Sequence, residues 1–234
     1  MKFNYLTLLA LILTPLIDCA ADNRQNAEDY ITLHFCAASW KQSIREPLYY
    51  QLDGEYLPLR LTTTSRTRPV DYHGPNPITF YAKQADNQYL PIAQANIPEG
   101  FSQALLLFFH QDEANDASGR FSVKVIDDNE TLFPRNSYRF INFCADEIIG
   151  KLGSEKFSIT ANSAKTIEPK QTPNNQLSLQ LAEVNGREAK MIYSSVWPFQ
   201  PNTRKLVVLA PPDGNRMEKL SMVIIPDYMP LESE

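Results

Sequence analysis

Tyr138-Arg139-Phe140-Ile141-Asn142-Phe143-Cys144-Ala145 reads as a second copy of Tyr30-Ile31-Thr32-Leu33-His34-Phe35-Cys36-Ala37. Further matches follow in the same order. Leu52-Asp53-Gly54-Glu55-Tyr56-Leu57-Pro58-Leu59 pairs with Leu152-Gly153-Ser154-Glu155-Lys156-Phe157-Ser158-Ile159. Pro75 to Phe80 pairs with Pro173 to Leu179, and Ile97-Pro98 with Trp197-Pro198. Phe121 to Asp128 pairs with Leu220 to Asp227. The offset drifts only between ~96 and ~108 residues, a period that marks a duplicated domain rather than a solenoid of ~20–50-residue repeats. On this alignment Cys36 and Cys144 occupy equivalent strand ends.

Within each copy the segments are short, rich in β-branched and aromatic residues, and bounded by turn signals, the pattern of a sandwich. Ala104 to Phe109 and Lys205 to Leu209 are near-continuous apolar runs, suited to strands buried on both faces. Phe157-Ser158-Ile159-Thr160 and Leu177-Ser178-Leu179-Gln180-Leu181 alternate with period two, so one face is buried and the other wet. Asn185-Gly186 predicts a type I′ hairpin turn, and Asp86-Asn87 stands at the matching place. Seventeen prolines oppose long helices. The expected fold is all-β: two tandem immunoglobulin-like β-sandwich modules over 28–130 and 135–230. Leu132-Phe133 in the linker is expected to tuck between them.

Lys2, the apolar run Leu6 to Leu13, Pro15, and the small residues at Cys19-Ala20-Ala21 form the pattern of a signal peptide cleaved before Asp22. The run is shorter than the ~20 residues that span a bilayer. Export to the periplasm or outside the cell is therefore expected. Lipidation of Cys19 is the lesser alternative, because Asp18 is not the small neutral residue such a signal wants. Loss of residues 1–21 removes one charge of each sign and leaves the net charge at −5. A mildly acidic chain without a Lys/Arg block lacks the footprint of a nucleic-acid binder.

No catalytic constellation, cofactor motif or metal set emerges. There is no Gly-x-Ser-x-Gly elbow and no Gly-rich phosphate loop. His34 is expected to share a strand face with Thr32, opposite Leu33 and Phe35, and His73 to be a solvated loop residue. His110 opens a loop rich in oxygen ligands, including Asp112 and Asp116, whose spacing departs from a calcium loop. Asp127-Asp128 are neighbours whose side chains diverge, and Asp53, Asp127 and Asp227 read as turn residues. Cys36 and Cys144 allow an intermodule disulfide if their Cα atoms lie within ~7 Å, or else two buried, inert thiols. Trp40, Tyr49, Tyr50, Tyr72, Tyr193 and Trp197 are the aromatics available to line a glycan or peptide groove, Trp40, Tyr193 and Trp197 foremost; their other role is to cover the core or the junction.

The order Ser137 to Asn142, Gly150-Lys151-Leu152-Gly153, Tyr193 to Pro198, Arg204 to Leu209 and Ile225-Pro226-Asp227 resembles uncharacterised secreted β-sandwich proteins of planctomycete and verrucomicrobial bacteria. The similarity spans about 95 residues. It implies secretion and fold, and carries over no functional residue. The function expected is a non-enzymatic interaction or structural module of the cell envelope, with an envelope protein or glycan as partner. Its alternatives are a loop-based hydrolase or metal-dependent enzyme at the module junction, and a carbohydrate- or peptide-binding module.

Overall fold

The computed structural model describes residues 29–111, 120–212 and 219–229. The signal segment, Cys19, Asp112 and Asp116 lie outside the described residues. The chain is all-β, with no helix among the described residues.

The first half contributes eight strands: β1 (Asp29–Ser39), β2 (Leu48–Leu52), β3 (Glu55–Leu59), β4 (Val70–Asn76), β5 (Ile78–Lys83), β6 (Tyr89–Ala95), β7 (Gln103–His110) and β8 (Phe121–Asp127). They form two four-stranded sheets, ordered β4-β1-β7-β8 and β3-β2-β5-β6. The second half repeats both orders. Its strands are β9 (Tyr138–Asn142), β10 (Glu147–Leu152), β11 (Glu155–Ile159), β12 (Ala164–Ile167), β13 (Gln176–Asn185), β14 (Glu188–Pro198), β15 (Thr203–Ala210) and β16 (Ser221–Tyr228). The sheets run β12-β9-β15-β16 and β11-β10-β13-β14. Within each half one pair is parallel, β1 with β7 and β9 with β15.

Each half closes its two sheets over a core. Leu33, Phe35, Phe80, Leu106 and Phe108 lie at the centre of the first, and Phe140, Ile148, Leu179, Val207 and Leu209 at the centre of the second. A third cluster joins the halves, with Ala38, Leu105 and Leu107 from one side and Ile141, Leu206, Val208 and Ile225 from the other. The two sheets that hold the parallel pairs therefore pack face to face. This explains the continuous apolar runs: alternate residues of β7 and β15 enter different cores, and both strands are buried on both faces as expected. Of the linker pair, Phe133 is buried in the seam and Leu132 is exposed.

The registers date the repeat more closely than the letters do. Leu48 faces Leu59 as Ile148 faces Ile159. The bulge after Phe80 recurs after Leu181. In β1, however, Cys36 faces Leu105, and the equivalent partner of Leu206 is Arg139. Cys144 sits five residues beyond that position, so the equivalence of the two cysteines is corrected. Trp40 and Phe143 are the true counterparts: their amides donate to Phe108 and Leu209 at 2.7 and 2.8 Å. The β13–β14 hairpin forms, but its central pair is Gly186-Arg187 and only Gly186 takes a positive φ, +62°, so it is not type I′.

Candidate functional site

Most of the residues singled out from sequence turn inward. Trp197 is buried in the second core, and its indole Nε1 donates to the Tyr193 hydroxyl at 3.1 Å. That bond holds Tyr193 half-buried at the core's margin, so these two rings form no open groove. Trp40 stacks on Phe109 at the seam, centroids 5.4 Å apart, while Phe143 meets Phe109 edge-on from the other half. Tyr50 and Tyr72 are buried. Cys36 and Cys144 are free thiols, not a disulfide; one borders the seam and the other the second core. Burial pushes both up to about 11, the direction of an inert thiol rather than a nucleophile.

The histidines are surface residues. His34 and Thr32 do share an exposed strand face, where His34 Nδ1 lies 2.7 Å from Asp71 Oδ1. His73 belongs to β4 rather than to a loop, with its Nδ1 3.1 Å from Thr32 Oγ1. Among the described residues no group of three or more His, Cys, Asp or Glu side chains is disposed to hold a metal ion.

Asp128 and Asp227, equivalent by the repeat, meet at the seam with two arginines. Arg204 donates from Nε to Asp227 at 2.8 Å, from Nη2 to Asp128 at 2.9 Å, and from Nη1 to the carbonyls of Asp128 and Phe133 at 3.0 Å each. Arg66 Nη1 lies 2.5 Å from the same Asp128 oxygen and 3.3 Å from Asp227. Both guanidinium groups lie over the Phe133 ring. Asp227 is thus part of a strand and an ion cluster rather than a turn residue. With its charges matched and most of its donors spent internally, this quartet fastens the halves.

The surface that stands out lies elsewhere, on the solvent side of the β3-β2-β5-β6 sheet. Period two sends Leu48, Tyr50, Ile78 and Phe80 into the core and leaves Tyr49 and Tyr81 outside as cross-strand partners. Tyr56 and Tyr89 come from the two edge strands and lean over that pair until their rings stack, with centroids 3.8 Å apart and planes 1° from parallel. Tyr81 meets Tyr56 edge-on at 5.1 Å, and Tyr49 meets Tyr89 in the same way at 5.1 Å. The result is a half-buried herringbone of four phenols across all four strands, with Lys83 Nζ 5.9 Å from the Tyr89 centroid.

A cleft opens at each end. One, of about 510 Å³, includes Tyr49, Lys83, Arg45, Glu46, His110 and Arg120 in its lining. The other, also about 510 Å³, includes Tyr81, Gln51, Gln94, Thr79, Asp53 and the largely exposed Tyr30. Among the described residues the equivalent face of the second half carries no such cluster. By register, Ile149, Lys156, Ala182 and Ala189 stand where the four tyrosines would be. The first three line a shallow hollow of about 270 Å³ instead.

Of this face only Tyr49 was among the aromatics noted from sequence. The missing signal is the alternation Tyr49-Gln51 and Thr79-Tyr81-Lys83, joined to Tyr56 and Tyr89 only once strand order is known. Compared with known proteins, the chain matches no protein-family model and no curated protein.

Proposed function

We propose that this chain is a non-enzymatic, exported interaction protein of the bacterial envelope, built from two immunoglobulin-like modules. On this reading the first module carries the ligand face and the second is its scaffold. The observation that carries it is the herringbone Tyr49, Tyr56, Tyr81 and Tyr89, which is absent from the equivalent face of the other half. A phenol joins apolar area to a hydroxyl, and these rings hold one another in place, so a ligand orders few rotamers on binding. The flanking amides and hydroxyls of Gln51, Gln94 and Thr79 suit a ligand rich in hydroxyl groups, which favours a glycan over an apolar partner. The signal pattern and the resemblance to secreted proteins of planctomycete and verrucomicrobial bacteria support the export half of the proposal.

Two measurements test it. N-terminal sequencing of the protein recovered outside the cytoplasm is expected to begin at Asp22. In co-sedimentation with isolated cell-wall polysaccharide, the wild type is expected in the pellet. Tyr56→Phe/Tyr89→Phe, which keeps the stack and deletes two hydroxyls, should shift it toward the supernatant, and Tyr56→Ala/Tyr89→Ala should do so further. Pelleting that neither variant weakens, or a wild type that stays in solution, overturns the assignment.

A further inference from the structure

The two clefts beside the tyrosines differ in charge, and that asymmetry defines the ligand further. Among the described residues, the cleft bordered by Tyr49 and Lys83 gathers Arg45, Lys83 and Arg120 against one carboxylate, Glu46, with the His110 ring beside them. The cleft bordered by Tyr81 contains Asp53 and His73 but neither arginine nor lysine. Among the described lining residues this is an excess of two positive charges, in a chain whose net charge is −5. Lys83 ties it to the aromatic face, since its ammonium lies over Tyr89 while its side chain lines the cleft.

Resting on the tyrosine face as a glycan site, we propose that its ligand is an acidic heteropolysaccharide. The carboxylate of one sugar lies in the Arg45–Lys83–Arg120 cleft, and neutral sugars run across the tyrosines toward Gln51 and Gln94. Guanidinium groups bind carboxylates through paired, charge-assisted hydrogen bonds. Among the described residues the cations of this face lie at one end, so the sugar that follows the acidic one must be neutral. A polymer charged at every residue would lay carboxylates along the tyrosines, where no described cation but Lys83 meets them. The same confinement disfavours single-stranded nucleic acid, whose backbone needs positive charge along its whole path.

The test is titration calorimetry of the full chain with three probes: a hyaluronan octasaccharide, in which uronate alternates with a neutral N-acetyl sugar, chitohexaose as a neutral chain, and an oligothymidylate. The hyaluronan fragment is expected to bind at least about ten-fold more tightly than chitohexaose, the scale of one charge-assisted hydrogen bond. Arg45→Gln/Arg120→Gln should erase that difference by weakening the hyaluronan fragment, whereas Tyr56→Phe/Tyr89→Phe should weaken both sugars. Equal binding of the two sugars by the wild type, or a preference that survives Arg45→Gln/Arg120→Gln, overturns the acidic ligand while leaving the tyrosine face as a glycan site. Failure of both sugars to bind overturns both, and tighter binding of the oligothymidylate overturns the sugar in favour of nucleic acid.

Discussion

Replacing Arg204 with methionine tests the seam between the halves. Arg204 is 5% exposed and makes four hydrogen bonds, two to carboxylates and two to main-chain carbonyls. Methionine fills similar volume but donates nothing. Asp128, only 7% exposed, keeps Arg66 as a counter-ion, so its charge is not fully orphaned. Asp227 is more open and recovers some hydration. The carbonyls of Asp128 and Phe133 lose a buried donor outright. Breaking a buried ionic contact on one side costs about 3–5 kcal/mol. For a chain of this size that lowers the melting temperature by about 6–20 °C. Guanidinium unfolding followed by tryptophan fluorescence is the assay, with Trp40 reporting the seam and Trp197 the second core. A loss below about 1 kcal/mol would refute the view that this quartet fastens the halves. Arg66→Met should cost less, because only its Nη1 is engaged while Nε and Nη2 are buried without partners.

Gly150→Ala is expected to destabilise by about 1–3 kcal/mol, since a Cβ there would clash with the Phe157 ring and crowd Leu181. Adding Phe157→Leu should recover part of that loss, because the equivalent pair in the first half is Tyr50 beside Leu57, and a double-mutant cycle by urea unfolding measures it. The thiols of Cys36 and Cys144, raised to about 11 by burial, should react with a disulfide reagent at pH 8 far more slowly than in denaturant. Because an acid with a raised folded value ionises first in the unfolded chain, these thiols should erode stability as pH climbs from 9 towards 11. Cys36→Ser/Cys144→Ser should flatten that part of the stability profile.

The doubly buried strands β7 and β15 were legible because Ala-Leu-Leu-Leu-Phe-Phe and the Leu-Val-Val-Leu after Lys205 leave no polar position for water. The turn at Asp53 and the match of Leu52–Leu59 with Leu152–Ile159 were legible, and they correspond to the hairpins β2–β3 and β10–β11. The partnership of Cys36 with Cys144 was not a sound reading. The string Phe-Cys-Ala matches better by letter than Cys36 matches Arg139, yet strand register obeys hydrogen bonding and face, not identity. Trp197 was counted among the available aromatics because its own stretch gives no sign that Tyr138 and Phe140, distant in sequence, meet its indole. The tyrosine face was hidden for a similar reason. Tyr56 and Tyr89 come from opposite edges of a sheet, and only the strand order makes them neighbours.

The face-to-face packing of the two inner sheets has a consequence for reach. The sheets stack in four layers, with the tyrosine-bearing sheet outermost on one side and the β11-β10-β13-β14 sheet outermost on the other. At about 10 Å per layer, the two outer surfaces look in opposite directions some ~30 Å apart. On the proposed reading, one chain grips a polymer through a single outer face, and its far surface stays clear of that ligand. Tighter hold on a repeating ligand would have to come from several chains seated side by side along it, each adding one contact to a shared strand.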